Sequence, residues 1–249
     1  GNGDSMIIFA GIVSRLPVGL GQVASYLKVG AIGAINVLLL LAVTMAIVVA
    51  VIYVQEGERR ISVQYAKRVV GRRVYGGQST HIPLKVNQAG VIPIIFASSV
   101  LLFPGTVAQF VRHPWAQAVA KALQVGGPLY SILYFGLAVF FTFFYTAITF
   151  NPVEVSKNMQ KYGGFIPGIR PGRPTSDYIS RVLYRITVVG ALFIALVAVL
   201  PMFMGKITGV EGLSFGGTGV LIVVGVALET MKQIEAHMLM RHYEGFLKK

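Results

Sequence analysis

The side chains of this chain that can carry charge, ligate metal or move protons are few and unevenly placed. Among 249 residues there are 22 Lys or Arg, nine Asp or Glu, four His and no Cys. Without Cys there is no disulfide framework, no thiol nucleophile and no thiolate metal site. His81, His113, His237 and His242 are too scattered to form a metal centre. No catalytic constellation, metal site, nucleotide-binding motif or cofactor is expected. Ionisable residues inside apolar stretches are costly and usually mark an ion or proton path. Here they are few: Asp4 at the edge of the first stretch, Arg15 near its far side, and Glu229 with Lys232 near the end of the last stand out. The last two stand three apart on one predicted helix and are expected to pair with each other. Proton-coupled chemistry therefore has little to work with.

The elements that hold these residues are membrane spans. Hydrophobic residues make up 55%, charged residues only 12%, and mean hydropathy is +0.70, whereas soluble domains are roughly 25% charged. A helix needs about 20 apolar residues to cross a bilayer. Six stretches qualify, near 5–27, 33–54, 88–110, 128–150, 182–204 and 217–236. Arg15 and Pro17 interrupt the first, while the second is apolar on every face. The chain opens on Gly1-Asn2-Gly3-Asp4-Ser5, with neither Met nor a basic leader before its apolar run. That opening is expected to be a cut through a longer chain or a processed end rather than a signal peptide.

If the spans alternate, the loops 55–87 and 151–181 share a side with the tail 237–249, and with the helix ends beside them hold 17 of the 22 basic residues. The positive-inside rule makes that side cytoplasmic. The net charge of +13 is then a face rather than an average. Orienting the helices and attracting anionic lipid would need only a few charges near the helix ends. The charges instead run through Arg59, Arg60, Lys67, Arg68, Arg72 and Arg73 in the first loop and include Arg170 in the second. In the first loop, Arg60 through Lys67 alternates apolar and polar residues, which predicts a projecting β-like finger. The second contains Gly163-Gly-Phe-Ile-Pro-Gly-Ile-Arg-Pro-Gly172, which forbids a long helix and predicts a fixed turn presenting Arg170. A partner rich in phosphates or carboxylates suits both loops, RNA first among them.

Within the third span, Gly90, Pro93 and Ser98-Ser99 interrupt the apolar run. Pro93 is expected to kink this helix, as a moving gate would require; small-residue packing against a neighbouring helix explains the same residues. Phe215-Gly-Gly-Thr-Gly219 lacks a following Lys-Ser/Thr, so a tight turn or close helix contact is favoured over a phosphate loop.

The chain resembles the SecY family, the central subunit of the bacterial protein-conducting channel. The resemblance runs along essentially its whole length: Gly1-Asn-Gly3 with Ile7-Ile-Phe-Ala-Gly-Ile-Val13, Arg59-Arg-Ile61 with Tyr65-Ala-Lys-Arg68, Gly71-Arg-Arg-Val-Tyr75, Gln78-Ser-Thr-His81 with Pro83-Leu-Lys-Val-Asn87, Ala89-Gly-Val-Ile-Pro93, Phe96-Ala-Ser-Ser99, Phe150-Asn-Pro152, Pro167-Gly-Ile-Arg-Pro-Gly172, and Gly216-Gly-Thr218 with Leu221-Ile-Val-Val224. It implies an all-α integral membrane fold whose six spans are helices five to ten of a ten-helix, pseudo-symmetric channel. Residues 1–27 would be helix five, and 28–249 the C-terminal five-helix half with its two long loops and tail. The plug and one wall of the lateral gate would belong to the N-terminal half.

The same resemblance gives residues their implied roles. Ile8, Ile95 and Ile222 match the aliphatic ring that seals the resting pore, while Asp4 stands where the family usually has another aliphatic residue. Pro93, Ser99 and Phe103 fall on the lateral gate. Arg170, Arg72, Arg73, Lys67 and Arg68, with Arg59 and Arg60, match the surfaces that dock the SecA motor ATPase and the ribosome, through rRNA and protein at its exit tunnel. The implied partners are the N-terminal half of the same channel, SecE-like and SecG-like small subunits, SecA, the ribosome, signal sequences and nascent chains, and anionic lipids. The implied location is a bacterial plasma membrane, and the implied function a passive conduit for unfolded polypeptides with lateral release of transmembrane segments. Two rival classes make different demands. A secondary transporter needs a buried charged binding site, and a ribosome-recruiting scaffold needs the basic loops but no pore.

Overall fold

A computed structural model describes residues 3–14, 16–30, 33–65, 68–70, 73–75, 79–110, 113–124, 126–208 and 217–246. The first apolar stretch forms two helices, α1 (Gly3–Val13) and α2 (Leu16–Lys28). They meet around Arg15 and Pro17, the two residues that interrupt the stretch in sequence; a proline near a helix start is tolerated because its missing N–H would have no partner there. The uniformly apolar second stretch is α3 (Ala34–Glu56). Among the described residues, four segments are long and apolar enough to cross a membrane, against the six stretches expected: Met6–Lys28, Ile35–Glu56, Pro128–Lys161 and Arg173–Leu200.

The third span is shorter than its apolar run, because Asn87 to Val91 form turns and α4 begins only at Ile92 and ends at Phe110. This corrects the expected kink at Pro93. Pro93 lies in the first turn of α4, where its missing N–H breaks no intrahelical bond; the proline inside the helix is Pro104. The serines add little polarity of their own, since Ser98 Oγ and Ser99 Oγ each donate to the carbonyl of Ile95 at 2.8 Å, satisfying the hydroxyls within the helix.

After α4 come a short helix α5 (Pro114–Ala122) and the span α6 (Pro128–Thr149). Thr142 and Thr146 are buried in α6, and their hydroxyls donate to the carbonyls of Ala138 and Thr142 at 2.7 Å. Asn151 then caps α7 (Pro152–Lys161) by accepting from the backbone N–H groups of Val153 and Glu154. The long helices α8 (Arg173–Thr208) and α9 (Gly217–Phe246) complete the bundle. The core gathers on α8, through Ile194, Ala195, Val197 and Ala198, against Val51 of α3, Ile94, Ala97 and Leu101 of α4, Tyr134 and Ala138 of α6 and Leu221 of α9. Facing alanines let these backbones approach closely, as membrane helices require.

The predicted finger is present. Strand β1 (Glu58–Tyr65) pairs antiparallel with β4 (Ser79–Lys85) in the register Ile61↔Ile82, and β2 (Arg68–Val70) pairs with β3 (Arg73–Tyr75) between them. Alternation along β1 buries Ile61 and Val63 and leaves Arg59, Arg60 and Ser62 exposed, as a period of two demands. Not foreseen is β5 (Gly164–Phe165), which adds to the free edge of β1 through Gln64↔Phe165 and Tyr65↔Gly164. The helical architecture thus carries a three-stranded sheet at one end, and its two basic loops share that sheet.

Candidate functional site

Three of the residues singled out in sequence, distant along the chain, converge. Ile222 of α9 is buried with Val91 and Val226, and Ile8, Phe9 and Ile12 of α1 and Ile95 of α4 pack against them. Two helices contribute through i, i+4 pairs, Ile8 with Ile12 and Ile222 with Val226, and α4 contributes Ile95 beside Val91 of the preceding turn. Such a pair presents one face of a helix. Ile222 is 5% exposed, whereas Ile8 and Ile95 are only half-buried, so the cluster has an open flank. Asp4 lies in α1 one turn before Ile8; its side chain is outside the described residues.

A cavity of about 520 Å³ with a mixed polar and apolar wall adjoins this cluster and shares Val91 with it. Its wall includes Gln55, Asn87, Gln88, Glu229, Lys232 and Gln233. Asn87 Nδ2 donates to the Gly90 carbonyl at 3.0 Å. The buried Asn87 Oδ1 and Gln88 Oε1 have no hydrogen-bond partner among the described residues. Lys232 lies 3.9 Å from Glu56 of α3, so the nearest carboxylate to it is not the expected Glu229. A tertiary neighbour on α3 supplies the carboxylate that helix spacing alone assigned to α9. Sequence reading missed Asn87, Gln88, Gln55 and Gln233 as wall residues; being uncharged, they carry no signal until the fold brings them together.

The face expected to form a gate is the open side of α4. Ser99 and Phe103, four residues apart, are both exposed, Phe103 at 69%, and Val107 and Phe110 continue the row. The opposite side of α4 is in the core, and Phe96 reaches the rings of Phe141 and Tyr145 on α6 at 5.9 and 5.5 Å. Pro93 is fully buried at the start of the helix, away from that open row.

At the sheet end of the bundle the basic residues are fixed by local chemistry. Arg59 and Arg60 are exposed on β1, and Arg60 Nε donates to Glu58 Oε1 at 2.6 Å. Arg68 and Arg73 lie on the paired strands β2 and β3, with Arg68 opposite Tyr75 and Arg73 opposite Val70. Lys67 and Arg72 are outside the described residues. Arg170 is exposed in the predicted turn. Its carbonyl accepts from Thr175 Oγ1 at 2.8 Å, and the carbonyl of Gly172, whose φ is +99°, accepts from Ser156 Oγ at 2.7 Å. Two helices, α7 and α8, therefore clamp the loop that carries Arg170. Beneath it, Ile61, Val63 and Leu84 of the sheet pack with Met159 of α7, Ile166 of the loop itself and Ile179 of α8. Burying each large aliphatic side chain contributes about 1.5–3 kcal/mol, so the two basic loops are held as one body. Beyond the sheet, Phe215 and Gly216 are outside the described residues, and Gly219 of α9 lies beside Ile12 of α1, a close helix contact of the expected kind.

The SecY family model matches residues 1–231. The protein translocase subunit SecY of Mycobacterium leprae is 50% identical over 260 residues, covering 100% of this chain and 58% of that protein. That of Thermotoga maritima is 48% identical over 252 residues, covering 100% and 56%. The Halalkalibacterium halodurans subunit is 51% identical over 256 residues, covering 100% and 60%. The chain spans a little under three-fifths of the length of these curated relatives. Two solved structures share its fold. One, of a protein conducting channel, superposes with a TM-score of 0.60 at 18% identity over 95% of this chain and 59% of that one. The other, in which the SecY plug domain stabilises the closed channel, gives 0.61 at 19% identity over 93% and 58%.

Proposed function

We propose a function from two facts: the chain belongs to the SecY family, and its aliphatic residues from α1, α4 and α9 meet in one cluster below a cavity. On this reading the chain is the C-terminal part of a protein-conducting channel, through which unfolded polypeptides cross a membrane or leave sideways into it. Ile8, Ile95 and Ile222 form part of the constriction. An apolar constriction blocks ions by dewetting, and it yields to a passing chain because it makes no directional bonds. The cavity is the vestibule in front of it. The open row of Ser99 and Phe103 on α4 is the lateral gate, facing the N-terminal half of the same channel.

The chain itself is a conduit rather than an enzyme, and energy comes from partners. The shared sheet and the clamped Arg170 loop form the docking face for a SecA-type motor and for the ribosome's exit-tunnel rRNA and protein. Arg59, Arg60, Lys67, Arg68, Arg72 and Arg73 extend that face toward phosphates and carboxylates. SecE-like and SecG-like subunits complete the assembly, and signal sequences and nascent chains are its cargo. The location is a bacterial plasma membrane, with the basic loops and tail cytoplasmic and near anionic lipid.

The observation that carries this reading is the convergence of Ile8, Ile95 and Ile222. The test is a secretory chain stalled during translocation, with a photoreactive amino acid replacing Ile95 or Ile222. Adducts to the stalled chain from both positions, and none from exposed Ile148 on α6, are expected. Lipid adducts alone would overturn the pore assignment.

A further inference from the structure

The short helix α5 lies at the bundle end opposite the sheet, between α4, which ends at Phe110, and α6, which begins at Pro128. Its apolar residues face the wrong way for a helix in water. Trp115, Ala118, Val119 and Ala122 stand at spacings of three and four and so share one face; all are exposed, Trp115 at 61% and Val119 at 41%. Gln117, Lys121 and Gln124 stand off that face, themselves exposed, beside a crevice of about 470 Å³ that Leu101, Leu102 and Tyr130 also line. Ala120 and Leu123 are the half-buried residues that hold the helix to the bundle. The apolar face is thus turned outward.

We propose that α5 is an interfacial anchor, with the Trp115–Val119 face seated in the headgroup and upper acyl region of the bilayer. Three observations select lipid as the occupant. Only three residues separate α4 from α5 and five separate α5 from α6, which tethers α5 to the level where two membrane helices leave the hydrocarbon. Both neighbouring helices also expose large apolar side chains near the ends that lead to α5, Phe110 at 84% and Ile132 at 70%. Trp115 is the single tryptophan of the chain, beside His113 with ring centroids 6.1 Å apart; an indole with an apolar body and one N–H donor favours the headgroup level. Lys121 adds an exposed cation on the same helix, as in other amphipathic helices lying in the interface plane.

The inference rests on the reading of α4 and α6 as membrane helices, and one experiment separates the two. The chain has no Cys, so single cysteines at Trp115→Cys, Val119→Cys, Gln117→Cys and Phe140→Cys are spin-labelled in the assembled complex, with its partners' cysteines replaced, in vesicles of phosphatidylcholine and phosphatidylglycerol. Collision rates with oxygen, which concentrates in lipid, are compared with those of a water-soluble nickel chelate. At 115 and 119 the oxygen-to-nickel ratio is expected to be several-fold above that at 117 and below that at 140, in the middle of α6. A water-like ratio at 115 and 119 with a lipid-like one at 140 overturns the anchor alone. Shielding of 115 and 119 from both reagents means that protein covers the face, and also overturns it. A water-like ratio at 140 overturns the membrane reading of α6 and the anchor with it.

Discussion

Single residues carry the sharpest consequences. Arg170 is exposed, yet its backbone is held on both sides, by Thr175 at its own carbonyl and by Ser156 at the carbonyl of Gly172. Reversing its charge therefore changes what the loop attracts without changing how it folds. Arg170→Glu is expected to abolish SecA-driven export in inverted membrane vesicles while the protein still assembles and extracts with its partners; normal export by that variant would remove Arg170 from the docking role. Asp4 is the opposite case, an acidic residue in α1 one helical turn before Ile8. A charge that reached the aliphatic cluster would hold water against a surface that otherwise dewets. Asp4→Ile is expected to lower resting ion leak in a planar bilayer, and equal leak from the two forms would show that Asp4 does not reach the constriction. A proline in an apolar run looks like a kink until the helix start is located, and the start at Ile92 puts Pro93 where proline is harmless.

At the scale of elements, the two long loops become one body because β5 adds to β1. Gly164 makes that pairing possible. A Cβ there would sit 3.0 Å from Cε1 of Tyr65 and 3.3 Å from Cγ1 of Val63, too close for either to accommodate without moving. Gly164→Val is expected to destabilise the sheet by about 1–3 kcal/mol, the usual range for overpacking, and to speed protease cleavage within residues 55–87 in folded, detergent-solubilised protein. Unchanged cleavage would mean that the finger stands without β5. The alternation along β1 made the finger legible, whereas β5, two residues long, has no periodicity to read. The terminal helices follow the same logic. One helix was expected over residues 1–27, yet it divides into α1 and α2 where Arg15 and Pro17 interrupt the apolar run, because a charge and a missing N–H both disfavour helix interior in an apolar surround.

For the whole molecule, the decisive property is the separation of charge from apolar surface. Most of the 22 Lys and Arg belong to the loops joined by the sheet and to the tail, and the apolar stretches of the helices between carry few charges. If that face docks ribosomal RNA, the logarithm of the association constant should fall linearly with the logarithm of salt concentration, with a slope of about 0.7 for each phosphate neutralised on single-stranded segments. A salt-independent affinity in a vesicle-binding titration would shift the docking role to apolar contacts. By itself the sequence determined the membrane class, the positions of the main helices, the basic face, the finger and the family, because each depends on composition, period or an ordered set of motifs along the chain. Only the tertiary structure decided that Ile8, Ile95 and Ile222 touch one cluster, that Lys232 approaches Glu56, that uncharged Asn87 and Gln88 wall a cavity, and that α5 turns its apolar side outward. These depend on which helix faces which. In a chain whose helices are apolar nearly all round, the amphipathic signal that would orient them is missing, and only packing between helices supplies it.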